Sequence, residues 1–168
     1  MDYNFETVWN KHTPALIEEI IAFWTAENAL PTDENAQDRA KQAVVLARDG
    51  DNRIIGISTA QIRTIHRIGQ PMYYFRMYFD ATHRGMHSIK PMMKEALQAL
   101  SEYNCGLPVP EALGLVIEVE NSHLRKRHAT AGWPLGFNFI GYSPRKLPIY
   151  AHYFKGAKLL PPARRQPV

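Results

Sequence analysis

The sequence predicts an α+β fold, a central mixed, mostly antiparallel sheet of about seven strands flanked by helices. Three observations lead there. Hydrophobic stretches of period two and of period 3.6 both occur along the chain. Strands come in runs interrupted by helices rather than in strict alternation. The 168 residues are 45% hydrophobic and 21% charged, enough apolar material to bury a core without metals or disulfides.

The elements follow in order. Tyr3, Phe5, Thr7 and Trp9 fall on one side of an extended first strand over residues 3–9. Thr13 before Pro14 is an N-cap with proline at the first helical position, and Leu16, Ile17, Ile20, Ile21 and Trp24 then mark an amphipathic helix to about residue 29. A more polar helix is expected over Asp33 to Gln42. Residues 44–48 and 53–65 read as two antiparallel strands around the turn at 49–52. From Met72 to Phe79 apolar and aromatic residues occupy both faces, as in a central strand. Ile89, Met92, Met93, Ala96, Leu97 and Leu100 form the clearest helical stripe. A buried strand at 113–120, a polar helix from Asn121 or Ser122 to about Ala131, and strands in GFNFIGY and PIYAHYF complete the order β-α-α-β-β-β-α-β-α-β-β.

No repeat or long linker divides the chain, so one domain over 1–155 is expected, followed by a Pro-rich, loosely ordered tail at 156–168. The net charge of +4 comes from Lys155, Lys158, Arg164 and Arg165, which leaves 16 residues of each sign before them. A balanced body disfavours a nucleic-acid partner. The lone Cys105, placed in a loop, fits a reducing, cytoplasmic setting. The polar start and the lack of any long apolar run argue against secretion and against a membrane span. The seven histidines lack metal-ligand spacing, so no metal is expected.

The segment FDATHRGMHSIKPMM, residues 79–93, stands between a strand and a helix with Arg84 and Gly85 opening the turn. In this, and in the order of its elements, the chain resembles the GNAT superfamily of acyltransferases. Members usually carry two further glycines, where this chain has His87 and Ile89. The resemblance implies an N-acyltransferase that passes an acyl group, most simply acetyl, from acyl-coenzyme A directly to an amine in one ternary complex. Backbone groups of the turn and helix start would cradle the pyrophosphate, which assigns cosubstrate binding to Arg84, Gly85, Met86, His87, Ser88, Ile89 and Lys90. His87 or Lys90 could compensate for the missing glycines as donors, and Pro91 removes an amide from the first helical turn. Backbone groups of Tyr78 and Phe79 would meet the carbonyl and pantetheine, beside Met77 and Asp80.

Asn121, eleven residues before Gly132 and Trp133, matches a second family feature, and Gly136 with Phe137 offers another registration. Where relatives often carry a tyrosine that protonates the departing thiolate, this chain has His128, which can donate a proton. Glu118 and Glu120 lie two apart in an otherwise apolar strand, hence on one face. One of them is the candidate general base, with Asp80 a third carboxylate. The alternatives are a solvent-facing pair or ion pairs with Arg63 or Arg76. Tyr73, Tyr74, Tyr78, Tyr142 and Tyr150 are candidates for an aromatic acceptor pocket.

The expected partners are a small-molecule or peptide amine and, through a free sheet edge, a second copy in a homodimer. Acyl carrier protein is an alternative donor, docked by the basic helix at 123–128. A GNAT-like module that has lost transfer activity and only binds or regulates is the alternative of a different class. RNA contact through the tail and aromatic strands is a third.

Overall fold

A computed structural model describes residues 3–127 and 129–161. In chain order they form β1 (Asn4–Thr7), α1 (Pro14–Ala26), α2 (Ala36–Ala40), β2 (Ala43–Arg48), β3 (Ile54–Ile65), β4 (Gln70–Phe79), α3 (Met86–Gly106), β5 (Gly114–Glu118), α4 (Ser122–Arg127), β6 (Gly132–Trp133), β7 (Phe137–Tyr142) and β8 (Pro148–Tyr153). The strands form one sheet in the order β1-β2-β3-β4-β5-β8-β7-β6. The eighth strand beyond the expected seven is β6, whose two residues pair with Asn138 and Phe137. Two residues are too few to show a periodicity. Among the described residues no helix is long and apolar enough to cross a membrane.

The chain condenses into two compact units. The first comprises the chain up to Ala60 and residues Phe75–Tyr103. Thr13 caps α1 as expected, its hydroxyl accepting from Leu16 N–H at 3.2 Å. Ile20 and Trp24 bury the inner face of this helix in a cluster with Val8, Leu46 and Ile57. The second helix is shorter than Asp33 to Gln42 because Asn35 caps it, accepting from Asp38 N–H at 3.1 Å. In the β2–β3 hairpin, Asp49 accepts from Asp51 N–H at 3.0 Å and from Arg53 N–H at 2.9 Å. Gly56 leaves room for the Phe79 ring, which a Cβ at that position would strike. The α3 helix begins earlier than its apolar stripe. Pro91 therefore falls in its second turn rather than its first, with no N–H to offer the carbonyl of His87.

The second unit comprises Gln61–Tyr74 and the chain from Asn104 onward. Its β5, β8, β7 and β6 are successive antiparallel neighbours. Their core gathers Met72, Leu113, Val116 and Ala151. Cys105 lies in the last turn of α3 and is exposed, correcting the expected loop. Asn104 ties this helix end to the following strand: its amide donates to Ala112 O at 2.9 Å and its carbonyl accepts from Glu111 and Ala112 N–H. The α4 helix stops at Arg127 instead of near Ala131. Gln70 holds Leu160 by both amide atoms, so this part of the expected tail is fastened to the start of β4.

Candidate functional site

In the first unit, the turn after β4 is built on Asp80. Its carboxylate accepts from Thr82 N–H at 3.0 Å, Thr82 Oγ1 at 2.9 Å and His83 N–H at 2.9 Å. His83 Nδ1 lies 2.7 Å from Oδ1 and 2.8 Å from Oδ2. Burial alone would raise this carboxyl, but the hydrogen bonds from His83 and Thr82 outweigh it and hold the group below the usual carboxylate range. Asp80 is thus committed to shaping the turn. Ser88 is buried and its hydroxyl donates to His83 O at 2.7 Å.

Arg84 is bound to the end of β4. Its Nε donates to Phe79 O at 2.8 Å and its Nη2 to the Tyr78 hydroxyl at 2.7 Å, with the guanidinium 5.0 Å from the Tyr78 ring centroid. The Phe79 carbonyl and the Tyr78 hydroxyl are therefore both engaged. Among the described residues, the backbone N–H groups of Gly85, Met86 and His87 take no partner, as the start of a helix dictates. His87 is exposed, stacks on Tyr3 at 6.1 Å, and lies against Gly85, where a Cβ would sit 2.7 Å from its ring. It fills space that a glycine at 87 would leave open. Met86 and Ile89 are half-buried and Lys90 is exposed.

In the second unit, the structure joins Glu118 and Glu120 through a residue the sequence did not single out. Arg145, in the turn between β7 and β8, donates from Nη2 to Glu118 Oε2 at 2.8 Å and to Glu120 Oε1 at 2.6 Å. Of the two arginines the sequence offered, Arg76 meets Glu34 at 3.0 Å, and Arg63 lies 4.3 Å from the Tyr74 ring centroid. Tyr74 donates to Glu118 Oε2 at 2.7 Å. The Glu118 side chain is only 8% exposed and that of Glu120 60%. Burial raises Glu118, yet Arg145, Ser143 and Tyr74 together bring it below the usual range. Burial first, and then the bond to Glu118, push the Tyr74 phenol well above its ordinary value, so it stays a donor.

Asn121 Oδ1 accepts from His123 N–H at 2.9 Å and Leu124 N–H at 3.2 Å, capping α4. His128 lies outside the described residues. Of the tyrosines, Tyr73 is buried and donates to Glu111 at 2.7 Å, while Tyr142 and Tyr150 line a cavity with Trp133 and Phe139. The run of aromatics from 133 to 153 was the available signal for that cavity. Nothing local signalled Arg145, which is 27 residues from Glu118.

This arrangement of sheet and helices is the GNAT acyltransferase fold. Across 90–98% of the chain it is similar to solved acetyltransferases. A GNAT-family acetyltransferase from Staphylococcus aureus matches at a TM-score of 0.57 and 15% identity, over 92% of this chain and all of that one. A phosphinothricin acetyltransferase from Sinorhizobium meliloti, in complex with acetyl-coenzyme A, matches at 0.56 and 15% over 98% and 95%. The NatC complex bound to a Gag peptide and coenzyme A matches at 0.55 and 15% over 90% and 96%. No family model and no curated protein matches the sequence.

Proposed function

We propose that this chain is an N-acyltransferase that takes an acyl group, in the first instance acetyl, from acyl-coenzyme A and gives it to an amine of a small molecule or peptide. The observation that supports it most is the likeness of fold to acetyltransferases along nine-tenths or more of the chain, two of them holding acetyl-coenzyme A or coenzyme A. The residues fit a polyanionic cosubstrate. Three partnerless N–H groups stand at the start of α3, and the nearby Asp80 carboxylate is turned to His83 and Thr82. Gly85, Met86 and His87 would hold the pyrophosphate, with the His87 imidazole as a further donor where relatives have glycine. Arg84 serves instead to brace the end of β4.

In the transfer, the amine nitrogen bonds to the acyl carbon, the C–S bond breaks, the amine gives up a proton and the thiolate takes one. We assign the first proton to Glu120, which water reaches. Glu118 is held by Tyr74 and Arg145 and acts as a positioning residue. His128 keeps the role of donor to the thiolate. Glu120→Gln should lower kcat by about two orders of magnitude or more with KM little changed. An unaltered kcat would take this role from Glu120.

The reading itself is tested by thermal denaturation with acetyl-coenzyme A, longer acyl-coenzyme A species and free coenzyme A. A ligand at a hundred times its Kd contributes about 2.7 kcal/mol, hence a rise of several degrees that continues with the logarithm of ligand concentration. No rise at millimolar ligand would remove coenzyme A as the carrier of the acyl group.

A further inference from the structure

The second unit contains a cavity of about 350 Å³ to which the transfer steps above assign no residue. Its aromatic lining is Trp133, Phe139, Tyr142 and Tyr150, and its cationic lining is Arg125 and Lys146. Trp133 and Tyr150 stack at 5.1 Å with their planes 29° apart. Phe139 meets Tyr150 and Tyr142 edge-on, at 5.9 and 5.1 Å. The Tyr150 hydroxyl donates to Thr130 O at 2.9 Å, which fixes its ring. Phe139 and Tyr142 nevertheless remain 37% and 58% exposed, an aromatic surface left open to water at a hydrophobic cost.

The charges decide what such a cavity selects. Bare aromatic faces attract ammonium groups. Among the described residues no Asp or Glu lines the cavity, and neither Arg125 nor Lys146 is ion-paired. Two uncompensated cations repel an ammonium and attract an oxyanion, for which the planar guanidinium of Arg125 is suited to bidentate binding. Lys146 is set in a closed turn, with Ser143 N–H donating to Leu147 O at 2.8 Å and Lys146 N–H to Ser143 O at 2.8 Å. The volume lies within the range of small-ligand sites, about 300–1,000 Å³.

We propose that this cavity binds a small molecule in which an aromatic ring is joined to an oxyanion, a carboxylate or a phosphate. The ring lies among the four aromatic side chains, and the anion faces Arg125 and Lys146.

The test uses the full chain with phenylacetate and phenyl phosphate as probes and phenethylamine as the cationic counterpart, by calorimetry and by tryptophan emission. At least one anion should bind saturably, and which one does identifies the oxyanion. Its effect on emission should vanish in Trp133→Phe, while Trp9 and Trp24 still report folding. The double variant Arg125→Gln/Lys146→Gln, checked for an unchanged melting temperature, should bind the anion about tenfold or more weakly, the scale of a lost charge-assisted contact. The proposal is overturned by phenethylamine binding as tightly as the anions, by an unchanged Kd in the double variant, or by no saturable binding of either anion at millimolar concentration. Neither anion is an acyl thioester, so these outcomes leave the transferase reading standing or falling on its own test.

Discussion

The phenol of Tyr74 and the carboxylate of Glu118 perturb each other in opposite senses. Burial raises both groups. Their shared hydrogen bond raises the phenol further but favours the ionised carboxylate, which Arg145 and Ser143 also stabilise. Tyr74→Phe removes one of these supports and keeps Arg145, so the Glu118 carboxyl should titrate closer to its ordinary range. Carbonyl-detected NMR follows that titration directly, and an unmoved value would mean that Arg145 and Ser143 set it without Tyr74. The variant should also lose about 1 kcal/mol of stability, the usual net worth of a hydrogen bond. This local chemistry also explains why the strand alone left the partner open. Two carboxylates at the end of an apolar strand call for a cation, but the spacing of Glu118 and Glu120 does not say which arginine the turn between β7 and β8 delivers.

At the scale of elements, Arg48 shows how one side chain joins pieces distant in sequence. At the end of β2 it donates to Glu19 on α1 at 2.6 and 2.9 Å, to Glu6 on β1 at 2.9 Å and to Asn52 O in the hairpin at 3.0 Å. The arginine is buried while both glutamates are about half exposed, so removing it strands neither acid away from water. Arg48→Ala should therefore cost about 2–3 kcal/mol in urea unfolding, the worth of charge-assisted bonds rather than the larger penalty of an orphaned buried charge. A loss below 1 kcal/mol would mean that the cost of burying the guanidinium offsets its bonds. Elements whose signal is local were legible beforehand: the Thr13 cap with the stripe of α1, the Asp49 hairpin and the long apolar face of α3. Elements defined by long-range partners were not. β6 exists because β7 pairs with it. The candidate site divides in the same way. The turn at Asp80–Gly85 could be placed from Arg84 and Gly85. The inward fold of Arg84 onto Phe79 and Tyr78, the Arg145 bridge and the aromatic cavity depend on contacts made only after folding.

Across the whole molecule, acid is the condition to which the sequence and the structure assign the steepest response. Asp80 in one unit and Glu118 in the other both have carboxyls below their ordinary range. A group depressed in the folded state adds stability that is complete above its unfolded value, about pH 4, and is lost as the pH falls through the lower folded value. Protonation also leaves the 20 Lys and Arg and 7 His without the opposing charge of the 16 acids, so self-repulsion acts in the same direction. Melting temperature should accordingly be level between pH 7 and pH 5 and fall steeply below about pH 4. Asp80→Asn and Glu118→Gln should each lower the neutral plateau and flatten the acid limb. Hydrogen exchange should report the first change in the Asp80 amide, which donates to Ile55 O at 3.0 Å, and the second in the amides of β8, which pairs with Glu118 at Ile149. If the acid limb kept its slope in both variants, the acid sensitivity would belong to the general charge balance and not to these two carboxylates.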